Sequence, residues 1–216
     1  MPLGPRFPAG VTVDNVSRTF KRTRALDRVS LTAGPGVVAA VIGPNGCGKT
    51  TLLRILAGVL DPDSGQAQLA GVPPGRGVAA YVPAGDRALY WRITARENLE
   101  FFARIGGAVK NRKEFSQEAA SRLGASDLLS RRVGTLSTGQ RRRIMLARGL
   151  VAGPPILLLD EPYADLDDAG CGAVATATHR WAEEGGTVIY AAPGADGGPQ
   201  PDLTFRLNAA HRRTES

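Results

Sequence analysis

Two segments of this chain combine residue types and spacings that suit phosphate chemistry. Residues 43–50 read Gly-Pro-Asn-Gly-Cys-Gly-Lys-Thr, the spacing of a phosphate-binding loop. Its glycines let backbone N–H groups turn toward phosphate oxygens, and the helix expected after it adds a positive N-terminus. Lys49 is expected to contact the β- and γ-phosphates, and the Thr50 hydroxyl to bind Mg²⁺. The alternative is a glycine-rich turn that fits the pattern by chance.

The second segment, residues 156–162, reads Ile-Leu-Leu-Leu-Asp-Glu-Pro. Four consecutive aliphatic residues indicate a parallel strand covered on both faces, and ligands of such sheets gather at the carboxyl ends of the strands. Asp160 is therefore expected to hold Mg²⁺ through water. Glu161 is the candidate base for an attacking water. Solvated acids at the end of a strand are the alternative.

A third segment, Leu-Ser-Thr-Gly-Gln at residues 136–140, lies between the other two in sequence. It has no use inside a solitary nucleotide site, whereas a hydroxyl and amides at a helix N-terminus suit the phosphate of a second copy. Ser137 acting only as a helix N-cap is the alternative. With these three segments in this order, the chain resembles the ATP-binding subunits of ABC transporters over nearly its whole length.

The resemblance implies a head-to-tail dimer that encloses two ATP molecules, with Ser137 and Gly139 of one subunit facing the γ-phosphate on the other. Thr138 stands where glycine is more usual in the family. The predicted cofactors are ATP and Mg²⁺, with Thr50 and Asp160 on the metal and Glu161 as the catalytic residue. The residues predicted to bind the nucleotide are Gly43, Pro44, Asn45, Gly46, Cys47, Gly48, Lys49, Thr50, Thr51, Phe20, Ser137, Gly139 and Gln140.

Other family elements have counterparts here. Phe20 stands where an aromatic ring often stacks on adenine, with a core phenylalanine as the alternative. The segment 164–167 resembles a loop that crosses the dimer interface, although Asp165 and Asp167 could also cap the next helix. Tyr90 and Trp91 lie near a groove that receives a helix of the membrane subunit, and packing in the core is equally compatible with them.

Two positions depart from the family pattern. Ala84 stands where a glutamine usually contacts the metal and water, and Asp86 beside Arg87 is the candidate substitute. Pro193 stands where a histidine usually contacts the γ-phosphate, and neither His179 nor His211 is placed to replace it. Proline donates no hydrogen bond, and loss of one such donor slows chemistry by about 10²- to 10³-fold. Intact ATP binding with weak hydrolysis is the resulting hypothesis.

Side-chain patterns predict the fold class: α/β, a P-loop NTPase core with a mixed sheet. Alternating residues in 11–17, 27–32 and 66–70 predict an N-terminal antiparallel β subdomain. Helical periodicity from about residue 94, opened by a capping box at Thr94, predicts an inserted helical subdomain over about 87–152 that carries the signature segment. The domain is placed at residues 8–210, with tails at 1–7 and 211–216.

The net charge and the cysteine content of the chain indicate which partners and which redox compartment to expect. A net charge of +7 suits an anionic neighbour, but the arginines are scattered, so no specific nucleic acid is expected. Arginines 141–143 are expected on a solvated or partner-facing helix surface. Two distant cysteines indicate a reducing compartment. Cys47, beside Lys49 at a helix N-terminus, is expected to favour the thiolate, and bound ATP is expected to protect this thiol from alkylating reagents. The alternative is a cysteine without redox meaning.

No apolar run of about 20 residues is present, so the isolated chain is expected to be soluble. The resemblance implies a peripheral position on the cytoplasmic face of the membrane. It also implies two partners, a second ATP-binding subunit, identical or homologous, and an integral membrane permease. Residues 87–98 resemble subunits of exporters. The alternatives are a regulatory half with weak or no hydrolysis that pairs with an active homologue, and a soluble ATPase of the superfamily acting on nucleic acid or the ribosome.

Overall fold

The computed structural model describes residues 9–75, 77–86, 88–106, 111–194 and 200–208. Arg87, His211 and both predicted tails lie outside these residues. The strands are β1 Val11–Phe20, β2 Thr23–Ala33, β3 Val38–Ile42, β4 Ser64–Leu69, β5 Ala79–Val82, β6 Ile156–Asp160, β7 Thr187–Ala192 and β8 Leu203–Arg206. The α-helices are α1 Lys49–Leu56, α2 Ala95–Ile105, α3 Arg112–Arg122, α4 Thr138–Ala152 and α5 Asp168–Glu183.

An antiparallel sheet with the order β2-β1-β4 forms the N-terminal subdomain. Val11, Val13 and Val16 of β1 are buried, and the alternation slips by one residue between the last two because the register shifts there. Asn15, which lies in the shifted segment, has a left-handed φ of 51°. The slip keeps all three valines on the core side of a twisted strand.

A second sheet, in the order β5-β6-β7-β3-β8, positions the candidate site. Among the described residues, the neighbouring strands of this sheet all pair in parallel, so the carboxyl ends of its strands share one edge. Strand β3 is buried along its whole length, and its successive residues contribute alternately to two hydrophobic clusters, one on each face. This burial explains the continuous apolar runs in the sequence. The predicted α/β core is confirmed, with its parallel and antiparallel pairings in separate sheets.

Helices α2, α3 and α4 pack against one another between β5 and β6 in the chain. The capping box predicted at the start of α2 is present: Thr94 accepts from the Glu97 amide, and the Glu97 carboxylate accepts from the Thr94 amide at 2.7 Å. The fully buried Asn98 bonds to both the N–H and the C=O of Tyr90. These contacts fix the segment that joins the sheet to the helical region. Within the described ranges, no helix is long and apolar enough to span a membrane.

Candidate functional site

Residues 43–48 form the loop between β3 and α1, and Lys49 and Thr50 begin α1, as the sequence predicts. Gly48 precedes α1 with a φ of 103°, and a Cβ at this position would lie 2.3 Å from the Ala25 carbonyl oxygen. A side chain is excluded there by both conformation and space. No side chain caps α1, so the amides of its first turn are free to meet an anion.

Lys49 is buried at the start of α1, with 6% of its surface exposed. Its ammonium donates to the carbonyls of Gly43 at 2.6 Å and Pro44 at 3.0 Å. A lysine ammonium has three N–H donors, so one remains for a further acceptor. The loop thus holds the positive charge of Lys49 against its own backbone.

Thr50 and Asp160 meet at the edge of the parallel sheet. The Thr50 hydroxyl donates to Oδ2 of Asp160 at 2.8 Å, and the Tyr81 hydroxyl donates to the same oxygen at 3.3 Å. Burial, and then the charge of Asp160, raise the pKa of Tyr81, so the phenol stays protonated as a donor. A hydroxyl and a carboxylate side by side are oxygen donors of the kind Mg²⁺ takes, with phosphate and water completing its shell.

Glu161 follows directly and turns the chain out of the sheet. Its φ of 50° is left-handed, and its amide donates to the Ala191 carbonyl at 3.0 Å. A non-glycine residue in this region is uncommon and stores strain that its surroundings must offset. Glu161 lines a pocket together with residues of the loop and one residue of β2: Ala25, Asn45, Gly46, Gly48, Lys49, Thr50 and Thr51.

The signature segment begins helix α4. Ser137 is its N-cap and accepts from the Gln140 amide at 3.2 Å, while the Gln140 side chain accepts from the Ser137 amide at 3.0 Å. Ser137 therefore caps α4, while its contact with a partner's phosphate stays a prediction. Among the described residues, the lining of the loop pocket contains neither Ser137 nor Gly139.

Gly139 lies against the loop that follows Glu161. A Cβ at Gly139 would come within 2.7 Å of the Asp165 carbonyl oxygen, so this position requires glycine. Asp165 itself has a left-handed φ of 63°. Asp167 caps α5 by accepting from the Gly170 amide at 2.8 Å, as predicted. The signature segment thus lies directly against the loop 164–167.

Among the arginines after the signature, Arg142 does not lie on the solvated or partner-facing helix surface that the sequence predicts. Arg142 is buried, with 3% exposed, and binds backbone carbonyls at the ends of β5 and β6. Arg141 pairs with Asp86 and lies over the Trp91 ring at 4.9 Å. Arg143 bonds to the Gly124 carbonyl at 2.7 Å. For Arg142 the prediction was wrong, because a guanidinium can satisfy carbonyls inside the protein as well as water outside it.

The two departures from the family pattern lie at the expected strand ends. Ala84 is exposed after β5, and the carboxylate of Asp86, the predicted substitute, pairs with Arg141. Pro193 follows β7 and lies beside the loop, in a cavity that Gly43, Pro44 and Arg206 also line. Pro193 therefore supplies no hydrogen-bond donor beside the loop.

The exposure of three aromatic side chains excludes the core positions that the sequence left open for them. Phe20 is 43% exposed at the end of β1, with the Arg18 guanidinium 5.0 Å from its ring centre, so the core alternative is wrong. Tyr90 and Trp91 are 51% and 49% exposed, so neither is a core residue. Tyr90 packs edge-on against Phe101 at 5.2 Å. Both the stacking and the docking interpretations stay predictions.

Cys47 points into the protein. It is 1% exposed and belongs to the hydrophobic cluster under α1. Burial removes the access that a reactive thiol needs, so its expected protection by ATP loses its structural basis. Cys47 can still contribute its backbone amide to the loop. Cys47 and Cys171 are both free thiols.

Sequence reasoning missed the roles of Tyr81 and Arg142. Tyr81 gives a detectable signal, because a polar-tipped ring on an otherwise apolar edge strand near Asp160 needs a partner. Arg142 gives none, since its neighbours in sequence are also arginines and only the fold separates them.

With the loop, the acid pair and the signature in place, comparison with known proteins identifies the family. The sequence model of the family described as "ABC transporter" matches residues 26–164. The chain belongs to the ABC transporter family.

This ABC transporter family member is similar in sequence to several named ATP-binding proteins. It is 43% identical over 176 residues to the "Sulfate/thiosulfate import ATP-binding protein CysA" of Burkholderia mallei, covering 73% of this chain and 48% of that protein. It is 37% identical over 170 residues to the "ABC transporter ATP-binding protein NatA" of Bacillus subtilis, covering 73% of this chain and 68% of that protein. The chain spans about half the length of the first curated relatives it matches.

Solved structures of ABC proteins share its fold. A dimeric ATP-binding cassette, MJ0796, in a post-hydrolysis state bound to ADP and Pi, matches with a TM-score of 0.83 and 23% identity over 92% of this chain and 94% of that chain. That likeness concerns the fold alone. The cbiO1 protein of Clostridium perfringens, described as part of an ABC transporter complex, matches with a TM-score of 0.79 and 27% identity, over 92% of this chain and 84% of that chain.

Proposed function

We propose that this chain is an ATP-binding subunit that powers a separate membrane subunit by hydrolysing ATP. The observation that carries the proposal is the 2.8 Å hydrogen bond from the hydroxyl of Thr50, which lines the pocket together with Lys49 and Glu161, to the carboxylate of Asp160. Phosphoryl transfer to water requires hydrogen-bond donors to the phosphates, oxygen ligands for Mg²⁺ and a carboxylate base. The names of the relatives agree with ATP binding.

Each side chain has a separate task in the proposed reaction. The ammonium of Lys49 and the free amides of α1 hold the β- and γ-phosphates, while Thr50 and Asp160 provide oxygen ligands for Mg²⁺. Mg²⁺, when bound, neutralises charge that develops on the phosphate oxygens. Glu161 orients a water molecule for in-line attack and accepts its proton. Phe20, exposed at the end of β1, offers a ring face on which adenine can stack.

The signature segment acts on the ATP of a second subunit in this proposal. Ser137, Gly139 and Gln140 belong to a helix start that lies outside the lining of their own loop pocket, among the described residues. A hydroxyl, free amides and a positive helix end in that position suit a phosphate bound to a partner. The partner is a second copy of this chain or a homologue, arranged head to tail.

The membrane subunit is proposed to dock near the exposed rings of Tyr90 and Trp91, between the sheet and α2. Large aromatic side chains contribute strongly to protein contacts when they become covered. The subunit is accordingly placed at the cytoplasmic face of a membrane. The export direction stays a prediction without support from the relatives, since CysA and TauB, the latter 39% identical, are named import proteins.

A second candidate function is favoured by Ala84 and Pro193. A site that lacks two of its usual contacts suits a regulatory subunit with weak or no hydrolysis, paired with an active homologue. Both candidates share ATP binding and dimerisation, and they differ in turnover.

Steady-state ATP hydrolysis by the purified chain, beside Glu161→Gln, tests the proposal. We expect slow turnover that Glu161→Gln abolishes, with ATP binding unchanged, because the amide cannot accept a proton. Fast turnover abolished by the same substitution would contradict the impaired site. Binding without any turnover would favour the regulatory candidate.

A further inference from the structure

One buried arginine connects the signature helix to both strand ends of the candidate site. Arg142, on the second turn of α4, is 3% exposed. Its Nη1 donates to the carbonyls of Pro83 at 2.8 Å and Gly85 at 3.3 Å, and its Nη2 donates to those of Asp160 and, at 2.7 Å, Glu161. Four carbonyls, two from each segment, therefore converge on one guanidinium.

The two segments held by Arg142 have direct importance for the proposed chemistry. One follows β5 and contains Ala84, the position where the family's glutamine is absent. The other contains the metal ligand Asp160 and the base Glu161. Glu161 has a left-handed φ of 50°, a conformation that persists only when its surroundings impose it.

We propose that Arg142 is a positioning residue that fixes the backbone of Glu161, and with it the carboxylate, relative to the signature helix. This inference rests on the proposed function, because Glu161 must act on water for its position to matter. Arg142 itself lines no part of the loop pocket among the described residues. It acts through Glu161 and through the loop that follows β5.

The neighbouring arginine strengthens the same connection. Arg141 pairs with the carboxylate of Asp86 and donates to the carbonyl of Leu136 at the start of α4. It also lies over the Trp91 ring. The loop after β5 is thus held by its backbone through Arg142 and by a side chain through Arg141. Movement of α4 relative to the sheet must displace both contacts together.

The contact needs an arginine. Two terminal nitrogens in one plane can serve four carbonyls, whereas a lysine ammonium has three donors at a single point. Burial lowers the pKa of Arg142, and the charges of Asp160, Asp165 and Glu161 oppose that shift. Carbonyl oxygens and nearby acids together compensate for a cation held away from water.

The test compares Arg142→Met, which removes every donor, with Arg142→Lys, which keeps the charge and some of the donors. The matched control is Arg143→Met, on the next residue of α4, where the one side-chain contact described is with the Gly124 carbonyl. Melting temperatures establish that each variant folds, and Arg142→Lys serves if Arg142→Met does not.

Hydrogen exchange of the protein without nucleotide gives the first measurement. The amides of Ala164 and Leu89 report on the two segments, because they donate to the carbonyls of Glu161 and Asp86. We expect their exchange to become at least about tenfold faster in Arg142→Met, with Arg142→Lys intermediate and Arg143→Met like the wild type. Unchanged exchange, or a uniform increase that includes the amides of β6, would overturn the proposal.

Hydrolysis gives the second measurement. We expect kcat of Arg142→Met to fall by about 10²-fold, because misplacing a reacting group by about 1 Å has that effect. The Kd for ATP should stay within about twofold, since Arg142 is not in the pocket. An unchanged kcat beside faster exchange would overturn the positioning role. A wild-type chain without hydrolysis would contradict the proposed function instead, and exchange at Ala164 alone would then decide whether Arg142 holds Glu161.

Discussion

The Thr50 hydroxyl donates a 2.8 Å hydrogen bond to the Asp160 carboxylate, joining two segments 110 residues apart in sequence. The bond exists because β3 and β6 belong to one parallel sheet whose carboxyl ends share an edge. The phosphate-binding loop leaves the end of β3, and the acids end β6. The proposed metal site beside a bound triphosphate rests on this meeting.

Thr50→Val tests that site while keeping the shape of the side chain. We expect affinity for ATP with Mg²⁺ to fall by about tenfold, the effect of one hydrogen bond of about 1.4 kcal/mol. Affinity for ATP without Mg²⁺ should not change. Calorimetry with and without the metal makes the comparison, and Thr176→Val, on the exposed face of α5, is the control. Equal losses in both conditions would argue against a metal role.

Pro193→His restores a donor beside the loop. We expect kcat to rise by about 10²-fold, because one well-placed donor to the transition state has that effect. Pro193→Ala, which also removes the proline ring but adds no side-chain donor, should leave kcat near the wild-type value. Steady-state hydrolysis distinguishes the two. A rise in both variants would assign the effect to the backbone and not to the missing donor.

Ser137 combines a cap with a proposed contact to the partner's phosphate, and Ser137→Asp separates these roles. Aspartate caps helices as well as serine does, so the melting temperature should change little. Its negative charge should repel the partner's phosphates and abolish dimer formation with ATP. Sedimentation in the Glu161→Gln background measures this.

Thr94→Asp makes the same change at the cap of α2 and serves as the control. It should leave dimerisation intact. A dimer that persists in Ser137→Asp would limit Ser137 to a structural role.

Phe20 is predicted to stack on the base through its ring face. Phe20→Ala should weaken ATP binding by about tenfold or more, since stacking on an aromatic ring contributes about 1–3 kcal/mol per base. GTP should lose affinity to a similar extent, because stacking uses no hydrogen-bond readout. Phe101→Ala, at another exposed ring, is the control. Unchanged nucleotide affinity in Phe20→Ala would exclude the stack.

The sequence predicts the elements of this fold well where local pattern and tertiary environment agree. Val38–Ile42 and residues 156–159 are apolar because both faces of the sheet are covered, and Thr94 and Ser137 cap helices by local contacts. The phosphate-binding loop is similarly local, since its glycines and lysine are neighbours in the chain.

The rest depends on contacts between distant segments. Arg142 has the same type as its two neighbours, and its burial follows from the meeting of α4 with β5 and β6. The ion pair of Asp86 with Arg141 depends on the approach of α4 to the loop after β5. Cys47 looked reactive until the packing beneath α1 covered it. In each case the deciding partner lies on another element.

Calorimetric titration with ATP and Mg²⁺ of the wild type and of Lys49→Met tests the central claim most directly. The account predicts that the wild type binds about one ATP per chain and that Lys49→Met binds it about 100-fold more weakly, because a charged hydrogen bond to phosphate contributes up to about 3 kcal/mol. Equal affinities for the two proteins, or a wild type that binds no ATP, would contradict it.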